Sequence, residues 1–174
     1  ISIIFKATHS EIDPSISSII IGVIQIIGVY ISSILVDRLG RKFMLITSAI
    51  GVSIGMCCTG LYQMLYTTIN LANFTWIPTV TVSIIIFFGN LGLYSITFLI
   101  IVEMLPSRIR SSGTIICIIF FVLIGFVVVK MFPILLEKIE LPGVMFGAGA
   151  ITALGILYIS IFVKETKGMS LESE

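Results

Sequence analysis

Long apolar runs alternate with short polar ones along this chain. Residues 16–36 are apolar apart from serines, Gln25 and Tyr30, and runs at 43–62, 77–102, 113–132 and 143–163 follow the same pattern. Each is close to or above the roughly 20 residues an α-helix needs to cross a bilayer. Backbone polar groups at membrane depth are satisfied within helices or closed barrels, and runs of this length suit helices. The pattern therefore predicts an all-α membrane protein with five full transmembrane helices. Ile1-Ser2-Ile3-Ile4-Phe5 is too short to cross, and it reads as the end of a sixth helix whose start is missing, so the sequence is expected to be a fragment.

The polar interruptions carry most of the information. Asp37-Arg38-Leu39-Gly40-Arg41-Lys42 has four ionisable residues in six, and placing one of them near a bilayer centre costs about 3 kcal/mol. The turn must lie at a water interface, with antiparallel helices on either side. A second charged turn runs from Glu103 to Arg110 and includes Arg108, and Pro106 within it is expected to stop the preceding helix. Lys6 to Pro14 reads as an aqueous loop, with Pro14 and Ser15 opening a helix. Residues 63–78 form a loop holding the glycosylation sequon Asn73-Phe74-Thr75, and residues 133–142 form another, with Lys138 beside Glu137 and Glu140.

Inside the spans a few residues depart from the apolar background. Gly51 and Gly55 make a G-x-x-x-G pair, expected to serve packing inside one bundle rather than dimerisation. Gly89, Asn90 and Gly92 interrupt the third span, which suits close helix packing or a bend beside a cavity. Gln25 near mid-depth either bonds a neighbouring helix or lines a polar pathway.

Composition narrows the function. With 57% hydrophobic and 11% charged residues and a mean hydropathy of +1.20, the chain cannot build an aqueous surface, for which about 25% charged residues is usual. Its partner is the lipid bilayer, and a net charge of +1 offers no field for nucleic acid. One histidine, His9, and three cysteines, Cys57, Cys58 and Cys117, supply neither a catalytic set nor zinc-ligand spacing. No enzyme, cofactor or metal is expected, and the cysteines read as small packing residues. Alternate loops must fall on opposite sides. One set carries Arg38, Arg41, Lys42, Arg108, Arg110, Lys164 and Lys167, the other Lys6, Lys130 and Lys138. The richer set is expected in the cytoplasm together with the carboxy terminus, which leaves the sequon outside.

The charged turns resemble those of a known family. Asp37-Arg38-Leu39-Gly40-Arg41-Lys42 is similar to the D-R-x-G-R-[RK] signature of sugar porters in the major facilitator superfamily. Glu103, Pro106 and Arg110 match that family's E-x-x-P-x-x-x-R turn, and Lys164-Glu165-Thr166-Lys167-Gly168 resembles its P-E-T-K-G ending, with lysine in place of proline. The resemblance spans nearly the whole chain and is nearest to the insect trehalose carriers of that family, along Ile4-Phe5-Lys6-Ala7 and Asp13-Pro14 to Gln25. It implies that residues 1–174 are the carboxy-terminal transmembrane half-domain, the second six-helix half of a major facilitator fold, whose partner is a missing amino-terminal half. It also implies plasma-membrane transport of a sugar, trehalose or a hexose, by facilitated alternating access.

Family roles carry over residue by residue. A cytoplasmic gate of salt bridges maps onto Asp37, Arg38, Gly40, Arg41, Lys42, Glu103, Arg108, Arg110 and Glu165. Substrate-lining roles map onto Gln25, Gly92, Thr97, Phe98 and Phe121. The family's G-x-G-P-x-P-W stretch keeps only its first glycine, Gly92; Tyr94, Ser95, Thr97 and Phe98 replace the second glycine, the prolines and the tryptophan, while Phe121 and Val122 replace an asparagine-tryptophan pair. Losing an amide leaves a sugar hydroxyl unpaired, at about 1–3 kcal/mol, so the substitutions imply an altered sugar site. Two other readings stay open: a sugar sensor that binds without transporting, and a truncated, degenerate copy without activity.

Overall fold

The computed structural model describes residues 14–69, 76–106 and 108–163, and every regular element among them is helical. Helix α1 is Pro14–Leu39, α2 is Arg41–Ile69, α3 is Ile77–Phe88 and α4 is Tyr94–Met104, with a π-helical turn, Gly89–Leu93, joining the last two; α5 is Arg110–Phe162. Helices α3 and α4 with the turn between them form one rod, Ile77–Met104. That rod, α1, α2 and α5 are four helices long and apolar enough to cross a membrane. Asn73, Glu165, the residues up to 13 and the carboxy-terminal ending lie outside the described residues.

The first charged turn is tighter than its six residues suggest. Only Gly40 is non-helical, at φ 89°, a backbone conformation that glycine adopts without steric cost. Its N–H closes on Val36 O at 3.2 Å, and Met44 N–H reaches Gly40 O at 3.3 Å. Asp37 and Arg38 thus end α1, while Arg41 and Lys42 begin α2. At the second turn Leu105 is extended (φ −87°, ψ 131°), as the residue before a proline is pushed to be, so Pro106 stops the rod where expected.

Helix α2 is the centre of the bundle. Side chains built at Gly51 and Gly55 would collide with Phe88 and Ile85, so the G-x-x-x-G pair packs within the bundle and receives α3. Moving back along α2, Gly55 meets Ile85, Gly51 meets Phe88 and Arg41 meets Glu103, so α2 and the rod are antiparallel. Helix α1 runs parallel to the rod, with Ile21 packed on Val82 and Gly28 against Phe87 and Asn90. Val36, Met44, Leu45, Leu91, Ile96 and Ile100 form the main apolar core, beside the charged turn.

Helix α5 is 53 residues long, about 80 Å at 1.5 Å per residue against a hydrocarbon core of about 30 Å. It is not straight, because Glu140 within it is non-helical (φ 58°, ψ 172°). Near its start Arg110 Nε donates to Leu105 O at 3.3 Å; near its end Lys42 Nζ donates to Ser160 O at 2.7 Å. Both ends therefore lie at the same end of the bundle, and the chain reverses at Glu140. The second arm, 141–162, runs antiparallel to α2, with Pro142, Met145 and Phe146 against Gly60 and Ser53 Oγ donating to Gly149 O at 3.0 Å. Residues 63–69 and 77–78, read from sequence as the ends of a loop, are helical; residues 133–142, read as another loop, are helical up to Glu140 and again after it. Their charges mark a water interface without requiring coil, since Ile134, Leu135 and Leu136 continue the helix and a membrane helix tolerates Pro133.

Candidate functional site

Two polar places stand out, one at the charged end of the bundle and one near mid-depth. At the charged end Arg41 Nη2 lies 3.1 Å from Glu103 Oε1 and 3.8 Å from Asp37 Oδ1. The Arg41 and Glu103 side chains are only 16% and 14% exposed, whereas Asp37 is 76% exposed. A sheltered charge-assisted hydrogen bond contributes about 1.5–3 kcal/mol, and an exposed ion pair about 0–1 kcal/mol. The Arg41–Glu103 contact is the strong member. Because its partners are 62 residues apart, it ties the first charged turn to the second.

The other expected gate residues among those described have contacts of their own or face outward. Lys42, through Ser160 O, holds the last turn of α5, where a cation also complements the helix dipole. Arg110 serves its own turn through Leu105 O, while Arg38 and Arg108 are exposed. Three stretches far apart in sequence, around residues 41, 103 and 160, thus converge at one end.

Near mid-depth a cavity of about 560 Å³ opens between α1 and the rod, lined by Gln25, Ile26, Val29, Tyr30, Ser33 and Asn90. Gln25 lies twelve residues before Asp37, about 18 Å along the helix, so the cavity is well inside the span. Among the described residues, Gln25 is the expected lining residue that the cavity wall contains. Gly92 faces α2 instead, where a Cβ would lie 2.6 Å from Met44 O. Thr97 Oγ1 donates to Leu93 O, and Phe98 meets Phe121 edge to face, with ring centroids 5.2 Å apart, joining α4 to α5.

Asn90, which the sequence marks as part of an interruption suited to close helix packing or a bend beside a cavity, is a cavity residue. It is 5% exposed, and its Nδ2 donates to Ile86 O at 2.8 Å. The π-turn that holds it is hidden in the sequence, although such turns often fall at functional positions.

Comparison with known proteins agrees with this geometry. Residues 2–173 match the family model described as "Sugar (and other) transporter". Over 170 residues, 97% of the chain, it is 33% identical to a facilitated trehalose transporter, Tret1, of Bombyx mori, covering 34% of that protein. The counterpart of Anopheles gambiae is 32% identical over 170 residues and is covered to 21%, and that of Drosophila willistoni is 33% identical over 171 residues and is covered to 20%. The chain therefore spans about a fifth to a third of the length of the curated relatives it matches. With helices able to span a membrane, a charged end matching two porter signatures and a family match along almost all its length, this chain belongs to the sugar transporter family, as a multi-pass membrane protein of the major facilitator sugar porters.

Proposed function

We propose that these residues form the carboxy-terminal half of a carrier that moves a sugar, with trehalose the first candidate, across the plasma membrane by facilitated alternating access. In this reading Glu140 turns the chain between a fourth and a fifth crossing, and the charged end and carboxy terminus face the cytoplasm, as the distribution of Lys and Arg favours. An amino-terminal half supplies the opposite wall of the pathway. The observation that carries the reading is the pairing of Arg41 with Glu103 at 3.1 Å at one end of a bundle whose mid-depth cavity is lined by Gln25, Tyr30, Ser33 and Asn90. Amides and hydroxyls suit sugar hydroxyls, Ile26 and Val29 offer an apolar face, and the volume falls in the range of small-ligand sites.

A pair that closes one end and breaks when that end opens biases a two-state equilibrium by its own strength. No covalent chemistry is required. The test is uptake of labelled trehalose and glucose by the complete gene product in vesicles. Saturable flux above empty vesicles is expected, reduced by Asn90→Ala and Gln25→Ala. Flux equal to that of empty vesicles would overturn the reading, and binding without flux would favour a sensor.

A further inference from the structure

Ser48 lies on α2 seven residues after Arg41, about two helical turns away on nearly the same face. It is completely buried. Its hydroxyl donates to Phe88 O and accepts the N–H of Leu93 at 3.0 Å. Phe88 and Leu93 are five residues apart, the spacing that a π-helix bonds directly. The hydroxyl of a neighbouring helix therefore stands between the donor and acceptor of one rung of the π-turn. Ser95 Oγ makes a contact of the same spacing, donating to Asn90 O at 2.7 Å, and Tyr94 N–H reaches Gly89 O, again five residues back. Gly92 lets α2 come this close, since a Cβ there would meet both Met44 O and Ser48.

We propose that Ser48 is a positioning residue that sets the register of the rod. By completing this rung it keeps the extra residue of the π-turn in place, and so holds Asn90 on the cavity wall and Glu103 against Arg41 together. A π-turn accommodates one residue more than an α-turn. If it relaxes to α-helix, everything beyond it turns by about 100° and shifts by about 1.5 Å relative to everything before it. Glu103 lies beyond the turn and the α3 residues that pack on α1 and α2 lie before it, so relaxation swings the Glu103 carboxylate away from Arg41. One serine thus links the mid-depth cavity to the charged end, and its role differs from glue between helices, whose loss loosens a contact without rotating it.

The register can be read without any cargo, whereas its consequence for transport rests on the function proposed above. The experiment is single-cysteine scanning of positions 94–104 in the complete gene product, with the native cysteines replaced and a membrane-permeant maleimide as probe. In the parent, minima of labelling are expected at 96 and 100, since Ile96 and Ile100 are 1% and 7% exposed. Ser48→Thr keeps the hydroxyl and Ser48→Val has the same shape without it, so bulk is common to both. Ser48→Val, and the smaller Ser48→Ala, are expected to move the minima by one position, with labelling at 96 and 100 rising several-fold, while Ser48→Thr keeps the parental pattern. Identical minima in the Thr, Val and Ala variants would overturn the proposal. Flux is measured on the same variants: absence of flux in parent and variants alike counts against the transport reading and leaves the labelling pattern to decide the register.

Discussion

Helix α2 and the first arm of α5, residues 110–139, are both long and apolar, yet they occupy opposite situations. More than half of the most apolar window of α2 is buried (56%), whereas none of that of α5 is (0%). The buried helix is the less apolar of the two, carrying Ser48, Gly51, Ser53, Gly55, Thr59 and Gly60 among its core contacts, while the middle of the exposed arm, residues 115–129, is Ile, Phe, Val and Leu apart from Cys117 and Gly125. In water the order would be reversed. In a bilayer the surroundings are as apolar as leucine, so position in the bundle is decided by how closely backbones approach and by which hydroxyls find partners across helices.

The most severe way to break this comparison is to give both helices the same large residue at a glycine. Gly51 faces the ring of Phe88, whereas a side chain at Gly125 meets nothing within 4 Å. Gly51→Leu is expected to destabilise the bundle by about 3 kcal/mol, at the upper end for overpacking, and Gly125→Leu by less than about 0.5 kcal/mol, as at open surface. Thermal unfolding of the detergent-solubilised protein would show this as a drop of several degrees for the first variant alone. Equal drops would mean that small residues do not decide which helix is central.

How much could be read from the sequence follows the same division. The two charged turns were legible because a charge at bilayer depth is so costly that Asp37, Arg41 and Glu103 must sit at an interface. Matched motifs then brought those turns together, as the 3.1 Å Arg41–Glu103 contact does. The role of Gly51 and Gly55 was legible because their spacing places both on one helix face. Ser48 was not, because a lone serine in an apolar run commonly bonds its own helix, and only the partner helix reveals the rung it fills. Gly92 could be matched to a family position, but which neighbour it faces depends on packing. The helical course through Pro133 was hidden for a related reason: polarity and proline suggest a loop, whereas the only non-helical residue within α5 is Glu140.

A second test sharpens the comparison at the charged end, where α2 again holds the sheltered partner. Arg41→Ala and Glu103→Ala are each expected to cost the closed arrangement about 2 kcal/mol, a shift of about 30-fold in the balance between closed and open at that end. Asp37→Ala, on the 76% exposed side of the same arginine, is expected to cost less than about 0.5 kcal/mol. Accessibility of a single cysteine engineered on the cavity wall, probed with a membrane-impermeant thiol reagent from the charged side, separates the cases. Raising salt is expected to erase the small Asp37 effect and leave most of the Glu103 effect, because sheltered pairs are screened less. Similar accessibility in all three variants would remove the gating role proposed for the pair.

The smallest effect is expected at the break that gives the two arms of α5 their different fates. Glu140 has positive φ (58°) with ψ 172°, a region occupied almost entirely by glycine, and holding another residue there costs of the order of 1–3 kcal/mol. Glu140→Gly removes the side-chain conflict but adds freedom to the unfolded chain, so the net gain is expected to be about 1 kcal/mol. Glu140→Ala keeps the conflict and removes only an exposed charge, so its stability is expected to stay near that of the parent. A higher unfolding temperature for glycine than for alanine would show that the reversal is fixed at this residue, with the second arm returning along α2 and the first left facing outward. If the two variants unfold at the same temperature, the bend is shared with Pro133 and Pro142, and the separation between a packed arm and an exposed one has another origin.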